Sequence, residues 1–165
     1  MLVLGIDPGS QATGYALVDR VRGRYRLITA GVLKTSTKQE IPHRLRTIAE
    51  GLRQVLELHR PQVVAIEAIF RHKSSESALR LGQARGVALL VAAEANLPVF
   101  EYNAMTVKKS TTGAGRADKA QIERAVRMLT GSTEKLPADA WDAAAIGITH
   151  LAHARHHASV REATR

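Results

Sequence analysis

Hydrophobic residues along the chain fall into short continuous runs separated by turn residues. Runs of this kind, rich in valine, isoleucine and leucine and too short for helices, are typical of buried strands. The predicted strands occupy 1–7, 13–20, 24–35, 61–67 and 98–102. Pro8-Gly9-Ser10 and Arg22-Gly23 supply the first two turns, so the first three strands are expected to form a meander.

A different spacing marks the helices. Between Ile41 and Leu56 apolar residues recur in steps of three and four, which predicts an amphipathic helix over 41–60. A short helix is expected to run into a glycine-rich loop over 103–115. The remaining helices are predicted over 74–97, 116–131 and 137–157. We expect residues 1–157 to form a single domain and residues 158–165 to form a flexible tail.

The order of these elements predicts an α/β fold with a mixed sheet. Because a helix separates the third strand from the fourth, the fourth can lie parallel to the first. The first strand ends in Asp7 and the fourth ends in Glu67. A parallel pairing would therefore bring these two carboxylates side by side.

The last predicted helix supplies two more acids, Asp139 and Asp142, which are three residues apart and share one face. Favourable interaction with the helix N-terminus would explain Asp139 alone. It explains Asp142 less well, because alanines and an isoleucine follow it. Four converging carboxylates repel one another unless they bind cations, and ligand sets made only of oxygen select Mg²⁺ or Mn²⁺. Two such ions about 4 Å apart are typical of enzymes that hydrolyse phosphodiesters.

Composition points to a polyanionic partner. The chain has 24 Lys and Arg against 15 Asp and Glu, a net charge of +9, which favours nucleic acid over the alternative of a basic protein without such a partner. Because aromatic residues make up only 4%, binding directed at the backbone is favoured over stacking on many bases.

Other function classes are excluded or disfavoured by composition. The absence of cysteine excludes disulfides and thiolate chemistry. No apolar run approaches the length of a membrane span, and strand-like sequence begins at Leu2 where a signal peptide would lie, so we expect a cytoplasmic protein with no membrane partner.

Five segments carry a specific resemblance. They are GIDPGSQATGYALVD, AIEAIF, SALRLGQARGVALL, VFEYNAMTVKKSTTGAGRADKAQ and DAWDAAAIGITH. In order and spacing they are similar to the RuvC-type Holliday-junction resolvases of bacteria, from Leu2 to about His150. The resemblance implies a ribonuclease-H-like fold and a homodimer that nicks two opposed strands of a four-way DNA junction with Mg²⁺, in recombination and repair. It also implies a branch-migration motor as a partner.

The resemblance also implies roles for individual residues. The four catalytic and metal-binding acids of the family fall on the residues already collected, which are Asp7, Glu67, Asp139 and Asp142. Its basic residues fall on Lys108 and Lys119, and its junction-probing aromatic falls on Phe70. Lys109 and Arg116 surround the same glycine-rich loop, and we expect them to bind DNA as well. The alternative is an ordinary loop with solvated charges.

Two further features of the helices have competing interpretations. Gly82 and Gly86 are four residues apart on the long helix, so this face could form the dimer interface or pack against the protein's own sheet. His150, His153 and His157 have helical spacing typical of metal ligands. His150, however, lies about 12 Å along the helix from Asp142 and is too far away to join the same metal pair.

Three other functions compete with junction resolution. An actin-like or sugar-kinase ATPase also begins with a strand that ends in Asp-x-Gly, but it needs two such domains, and 165 residues hold one. A ribonuclease on the same fold would cut RNA in hybrids. A non-catalytic junction-binding module would have no reason to keep four acids together.

Overall fold

The computed structural model of the chain is built on a five-stranded sheet, and it describes residues 1–68 and 75–163, with side chains as far as residue 154. The strands are β1 Val3–Asp7, β2 Ala12–Val21, β3 Arg24–Lys34, β4 Val63–Glu67 and β5 Val99–Tyr102. Their order across the sheet is β3-β2-β1-β4-β5.

Strand direction changes at the middle of the sheet. β1 and β3 are antiparallel to β2, whereas β4 is parallel to both β1 and β5. Ile6 pairs with Ile66, so Asp7 and Glu67 follow at adjacent strand ends. The predicted mixed sheet and the parallel placement of the fourth strand beside the first are confirmed.

Five helices cover the two faces of the sheet. They are α1 Ile41–His59, α2 Ser75–Glu94, α3 Ala104–Thr112, α4 Lys119–Thr130 and α5 Ala138–Ala163. Val3 and Val18 face a core formed with α3, α4 and α5, and Leu4 and Leu17 face a second core formed with α1 and α2. Alternate residues of each central strand thus serve opposite cores, which is why these strands read as continuous apolar runs.

Three helix ends lie three or more residues from the predicted ones, and the first is that of α2, which ends at Glu94 and not at 97. α4 begins at Lys119 because Asp118 caps it, accepting a hydrogen bond from the backbone N–H of Gln121 while the Gln121 side chain bonds back to Asp118. α5 does not end at 157, where we expected a tail to begin, but continues to Ala163. No glycine or proline follows Gly147 in the sequence, so nothing interrupts the helix there. The division into a domain and a tail stays a prediction.

The start of α5 lies directly against the central strands. A Cβ atom at Gly5 would overlap the backbone oxygen of Ala143, and one at Gly14 would overlap that of Asp139. Gly14 is also the ladder partner of Asp7. Glycines at these two positions therefore permit the close approach that carries the α5 carboxylates to the end of β1.

Candidate active site

The four predicted acids meet at one end of the sheet. Carboxylate oxygens of Asp7, Asp139 and Asp142 all lie within 4.8 Å of one another. Glu67 lines the same cavity as Asp7 and Asp142. Two strand ends and the first turns of α5 therefore build the acidic cluster, as the order of elements predicted.

The cavity has a volume of about 330 Å³ and is lined by both charged and apolar residues. Val107, Ile122 and Ile146 form apolar parts of its lining. Lys108 of α3 and Lys119 of α4 form its basic part. Because low-polarity surroundings strengthen electrostatic interactions, the charges in this cavity interact more strongly than they would at an open surface.

Burial and crowding raise the pKa of two of the acids, Asp7 and Glu67. Burial raises the pKa of Asp7 to about 8, assisted by the negative charges of Glu67, Asp142 and Asp139. Burial also raises the pKa of Glu67, with the Asp142 charge acting in the same direction. A cation in the cluster would oppose both shifts and favour the ionised form of these two carboxylates.

Lys119 already supplies one positive charge. Its Nζ lies 2.9 Å from Oδ2 of Asp142 and 3.4 Å from Oδ1 of Asp139. The hydrogen bond to Asp142 raises the pKa of the Lys119 ammonium. Since the side chain is 66% exposed and flexible, an incoming cation can displace it.

The turn between α3 and α4 explains how both lysines reach the cavity. α3 ends at Gly113, which adopts a left-handed conformation with φ of 80°, and α4 begins after the Asp118 cap. This reversal lays the two helices side by side. The sequence predicted that Lys119 would meet DNA phosphate, whereas in the structure it contacts two of the acids.

The donor set of the cluster suits a hard divalent cation. Among the residues that the structure describes, Asp7, Asp139 and Asp142 can each offer one oxygen to a shared metal ion. Carboxylate oxygens are the ligands that such cations prefer. Glu67, at the wall of the same cavity, is placed to complete the set. The residues present therefore fit a metal ion.

The remaining predicted DNA-binding residues are placed less directly. Lys109 and Arg116 are exposed beside the α3–α4 turn, and their contact with DNA stays a prediction. Phe70 lies outside the described residues, between β4 and α2.

The small-residue face of α2 does not pack on the protein's own sheet. Gly82 and Gly86 are exposed, and a Cβ atom at either would meet nothing within 4 Å. Ala84 and Ala88 occupy the face that is buried against the sheet. The interpretation in which these glycines pack inside the domain is therefore wrong for this helix, and the face is open to a partner.

The histidines of α5 have contacts that sequence reasoning missed. The Tyr102 hydroxyl and Nδ1 of His150 are joined by a hydrogen bond of 2.9 Å, and Ser110 Oγ is 3.1 Å from Nε2 of His153. The side chain of His157 is outside the described part of the chain. Helical spacing showed that His150 lies apart from the acids, but no local signal pointed to Tyr102 across the sheet.

One protein family matches the chain over most of its length. The family model described as "Crossover junction endodeoxyribonuclease RuvC" matches residues 3–150. The relative of that name from Saccharophagus degradans is 47% identical over 150 residues, covering 91% of this chain and 87% of the relative. The one from Citrifermentans bemidjiense is 43% identical, covering 91% of this chain and 92% of the relative.

Solved structures agree with the sequence match. A structure of T. thermophilus RuvC in complex with a Holliday junction substrate superposes with a TM-score of 0.89 at 36% identity, covering 95% of this chain and 96% of that one. A fowlpox virus resolvase in complex with Holliday junction DNA, at 14% identity and a TM-score of 0.57, shares the fold alone. No helix in the described part of the chain is long and apolar enough to cross a membrane. With a ribonuclease-H-like fold and these matches over nearly its whole length, the chain belongs to the RuvC family of crossover junction endodeoxyribonucleases.

Proposed function

We propose that the protein resolves four-way DNA junctions by hydrolysing one phosphodiester in each of two opposed strands, in recombination and repair. The observation that carries the proposal is the cavity lined by three carboxylates and two lysines at one end of a ribonuclease-H-like sheet, with a fourth carboxylate, that of Asp139, beside it. The relatives named for crossover junction cleavage, and the structural relative seen with its Holliday junction, support the choice of substrate. The net charge of +9 supports binding of a polyanion.

Mg²⁺, two ions per active site with Mn²⁺ as a substitute, is the cofactor that we assign to the cluster. Asp7, Glu67, Asp139 and Asp142 would hold the ions. When bound, such ions supply an activated water at neutral pH and stabilise the charge of the leaving oxygen. Among the described residues, Lys119 is the cation that forms ion pairs with this cluster, at 2.9 Å from Asp142 and 3.4 Å from Asp139.

The lysines of the cavity act on the phosphate. Lys108 lines the cavity without a described ion pair, so its ammonium can approach a phosphate oxygen as the DNA backbone enters. Lys119 would be free to bind phosphate on the same side if cations took its place beside Asp142. Both then neutralise charge at the phosphate under attack. Lys109 and Arg116 extend this basic surface along the α3–α4 turn.

The open face of α2 supports a homodimer. Leu79 and Leu90, which are 63% and 55% exposed, flank Gly82 and Gly86 along this helix. A two-fold interface formed by the α2 helices would pair two cavities, which matches a substrate that must be cut on two strands. Phe70, at the segment after Glu67, is proposed to stack on a base at the crossover, where unstacking costs least.

The cellular setting follows from the substrate. We place the protein in the cytoplasm with chromosomal DNA, and we assign it a branch-migration motor complex as the partner that presents the junction.

Cleavage of a labelled synthetic junction tests the proposal. The protein should cut the four-way junction symmetrically with Mg²⁺ and should leave it intact without a divalent cation. Linear duplex and RNA–DNA hybrid of the same sequence should be cut poorly. Preferential cutting of the hybrid would support the ribonuclease alternative, and ATP hydrolysis without DNA would support the ATPase.

A further inference from the structure

A polar network at the β5 edge of the sheet joins β5, the neighbour of the strand that ends in Glu67, to α3 and α5, which both carry residues of the cavity. Its members are Tyr102 of β5, Ser110 of α3, and His150 and His153 of α5. None of them belongs to the acidic cluster of Asp7, Asp139 and Asp142. Their chemistry therefore calls for an explanation other than metal binding.

The network has two connected halves. In one half the Tyr102 hydroxyl is hydrogen-bonded to His150 Nδ1 at 2.9 Å. In the other, Ser110 Oγ is bonded to His153 Nε2 at 3.1 Å. The Tyr102 ring contacts both histidine rings, with centroids 6.0 Å from that of His150 and 5.6 Å from that of His153. Tyr102 is thus the member common to both halves.

Each member stands close in the chain to a residue of the cavity. Tyr102 is the ladder partner of Glu67, and its carbonyl accepts a hydrogen bond of 2.9 Å from the N–H of Ala68. Ser110 follows Lys108 by two residues on α3. His150 follows Asp142 by two turns of α5. The network therefore connects the backbone that carries Glu67 to the helices that carry Asp142 and Lys108.

Because the hydrogen bonds of the network are partly buried, they favour one arrangement of β5 and α3 against α5. His150 is 4% exposed, and its ring also stacks on Phe100 with centroids 4.5 Å apart. Burial raises the pKa of Tyr102 and keeps its hydroxyl protonated. A buried imidazole that loses its hydrogen-bond partner costs more than the bond itself contributes, so shifted arrangements of β5 against α5 are disfavoured.

We infer that Tyr102 and His150 are positioning residues for strand cleavage, an inference that rests on the proposed function. Their hydrogen bond holds the end of β4 and β5 against α5, so that Glu67 keeps its place relative to Asp142. Displacement of a reacting group by about 1 Å can lower a rate by as much as a hundredfold, although no contact with the substrate is lost. The pair should therefore affect the cleavage step and leave DNA binding unchanged.

Tyr102→Phe removes only the hydroxyl and is the first test. With Mg²⁺ and saturating synthetic junction, we expect the single-turnover cleavage rate to fall about tenfold. Junction affinity without divalent cation should stay at the wild-type value. Tyr25→Phe is the matched control, because it removes a tyrosine hydroxyl from β3 at the opposite edge of the sheet and should leave both quantities unchanged.

Two variants of His150 separate positioning from simple stability. Asparagine can place an amide near the Nδ1 position and bond to Tyr102, whereas leucine favours the helix more but cannot bond. Positioning predicts that His150→Asn cuts faster than His150→Leu even where it melts at the lower temperature. A rate that follows melting temperature across the two variants would contradict the inference.

The double variant supplies the last comparison. If the two residues act through one bond, Tyr102→Phe combined with His150→Leu should cut no more slowly than His150→Leu alone. Wild-type cleavage by Tyr102→Phe would overturn the inference while leaving the proposed function intact. Failure of the wild-type protein to cut any junction would overturn the proposed function, and the inference with it.

Discussion

Asp7 and Arg44 are both ionisable side chains with little access to solvent, yet their surroundings differ completely. The Arg44 guanidinium is 3% exposed and donates from Nη2 to the Ser10 carbonyl at 2.6 Å and from Nε to Thr35 Oγ1 at 3.2 Å. Asp7 instead faces Glu67 and the α5 acids, which share its sign. The protein itself supplies hydrogen-bond partners for the Arg44 charge, whereas Asp7 keeps its proton up to a pKa of about 8 unless a cation joins it.

The contrast distinguishes an ionisable group that is buried to fix the structure from one that is buried to bind a ligand. A buried charge with complete hydrogen bonds fixes local structure, and here Arg44 ties α1 to the turn at Ser10 and to Thr35. A buried acid among other acids lowers the stability of the protein when it ionises. Such arrangements are typical of functional sites, where a bound ligand offsets this cost. Asp7 and Arg44 should therefore respond to substitution in opposite ways.

The largest effect should follow loss of an acid from the cavity. Replacing Asp7, Glu67, Asp139 or Asp142 by its amide should lower junction cleavage by at least about a thousandfold, because the ligands of the ions are lost. Junction affinity should change little, since these groups contact metal and not the DNA backbone. A gel assay of cleavage beside a binding titration checks both. Full activity in Asp7→Asn would contradict the site.

Substitution of Arg44 should instead lower stability. Arg44→Met removes the guanidinium that bonds to the Ser10 carbonyl and to the Thr35 hydroxyl and leaves only the bond between those two groups, so we expect the free energy of unfolding to fall by about 1–3 kcal/mol. Arg46→Met is the control, because Arg46 is exposed on the same helix. Urea unfolding measures both variants. Equal stability of the two variants would mean that the Arg44 bonds contribute nothing net.

A smaller effect is expected at Lys119, whose side chain is exposed but contacts two acids of the cluster. Lys119→Met removes the ammonium from Asp139 and Asp142. Cleavage should slow, and the dependence of log affinity for the junction on log salt should lose about one unit of slope for each phosphate contact removed. Titrations at several salt concentrations check the slope. An unchanged slope would restrict the role of Lys119 to the acids.

Much of the site could be predicted from sequence because its acids end recognisable elements. Asp7 and Glu67 close apolar runs, and a crossover helix between the strands makes them neighbours. Asp139 and Asp142 share a face by helical periodicity alone. These relations depend on local pattern and on handedness rules, which a single sequence carries.

Other contacts depend on the exact packing of distant elements and left no local pattern. The Lys119 ammonium reaches Asp142 because α4, which begins after the Asp118 cap, packs against α5. The bond between Tyr102 and His150 needs the register of β5 against β4. The end of α5 was misplaced because polar residues near 157 suggested a tail, although none of them breaks a helix.

The pH dependence of stability tests the central claim most directly. The unfolded chain releases the Asp7 proton near its ordinary pKa of 3.8, whereas the folded protein holds it to about 8. Between these values the folded state binds more protons, so the free energy of unfolding should fall as pH rises, by up to about 1.4 kcal/mol per pH unit from this group.

The decisive measurement is the free energy of unfolding of wild type and Asp7→Asn from pH 5 to 8.5, with and without Mg²⁺. Without metal the wild type should lose stability across this range, and Asp7→Asn should lose clearly less, the remaining slope coming from Glu67. Mg²⁺ should restore the wild type at pH 8 and have little effect on the variant. Parallel pH profiles for the two proteins, with equal gains from Mg²⁺, would contradict the account of Asp7 as a buried acid kept for a metal ion.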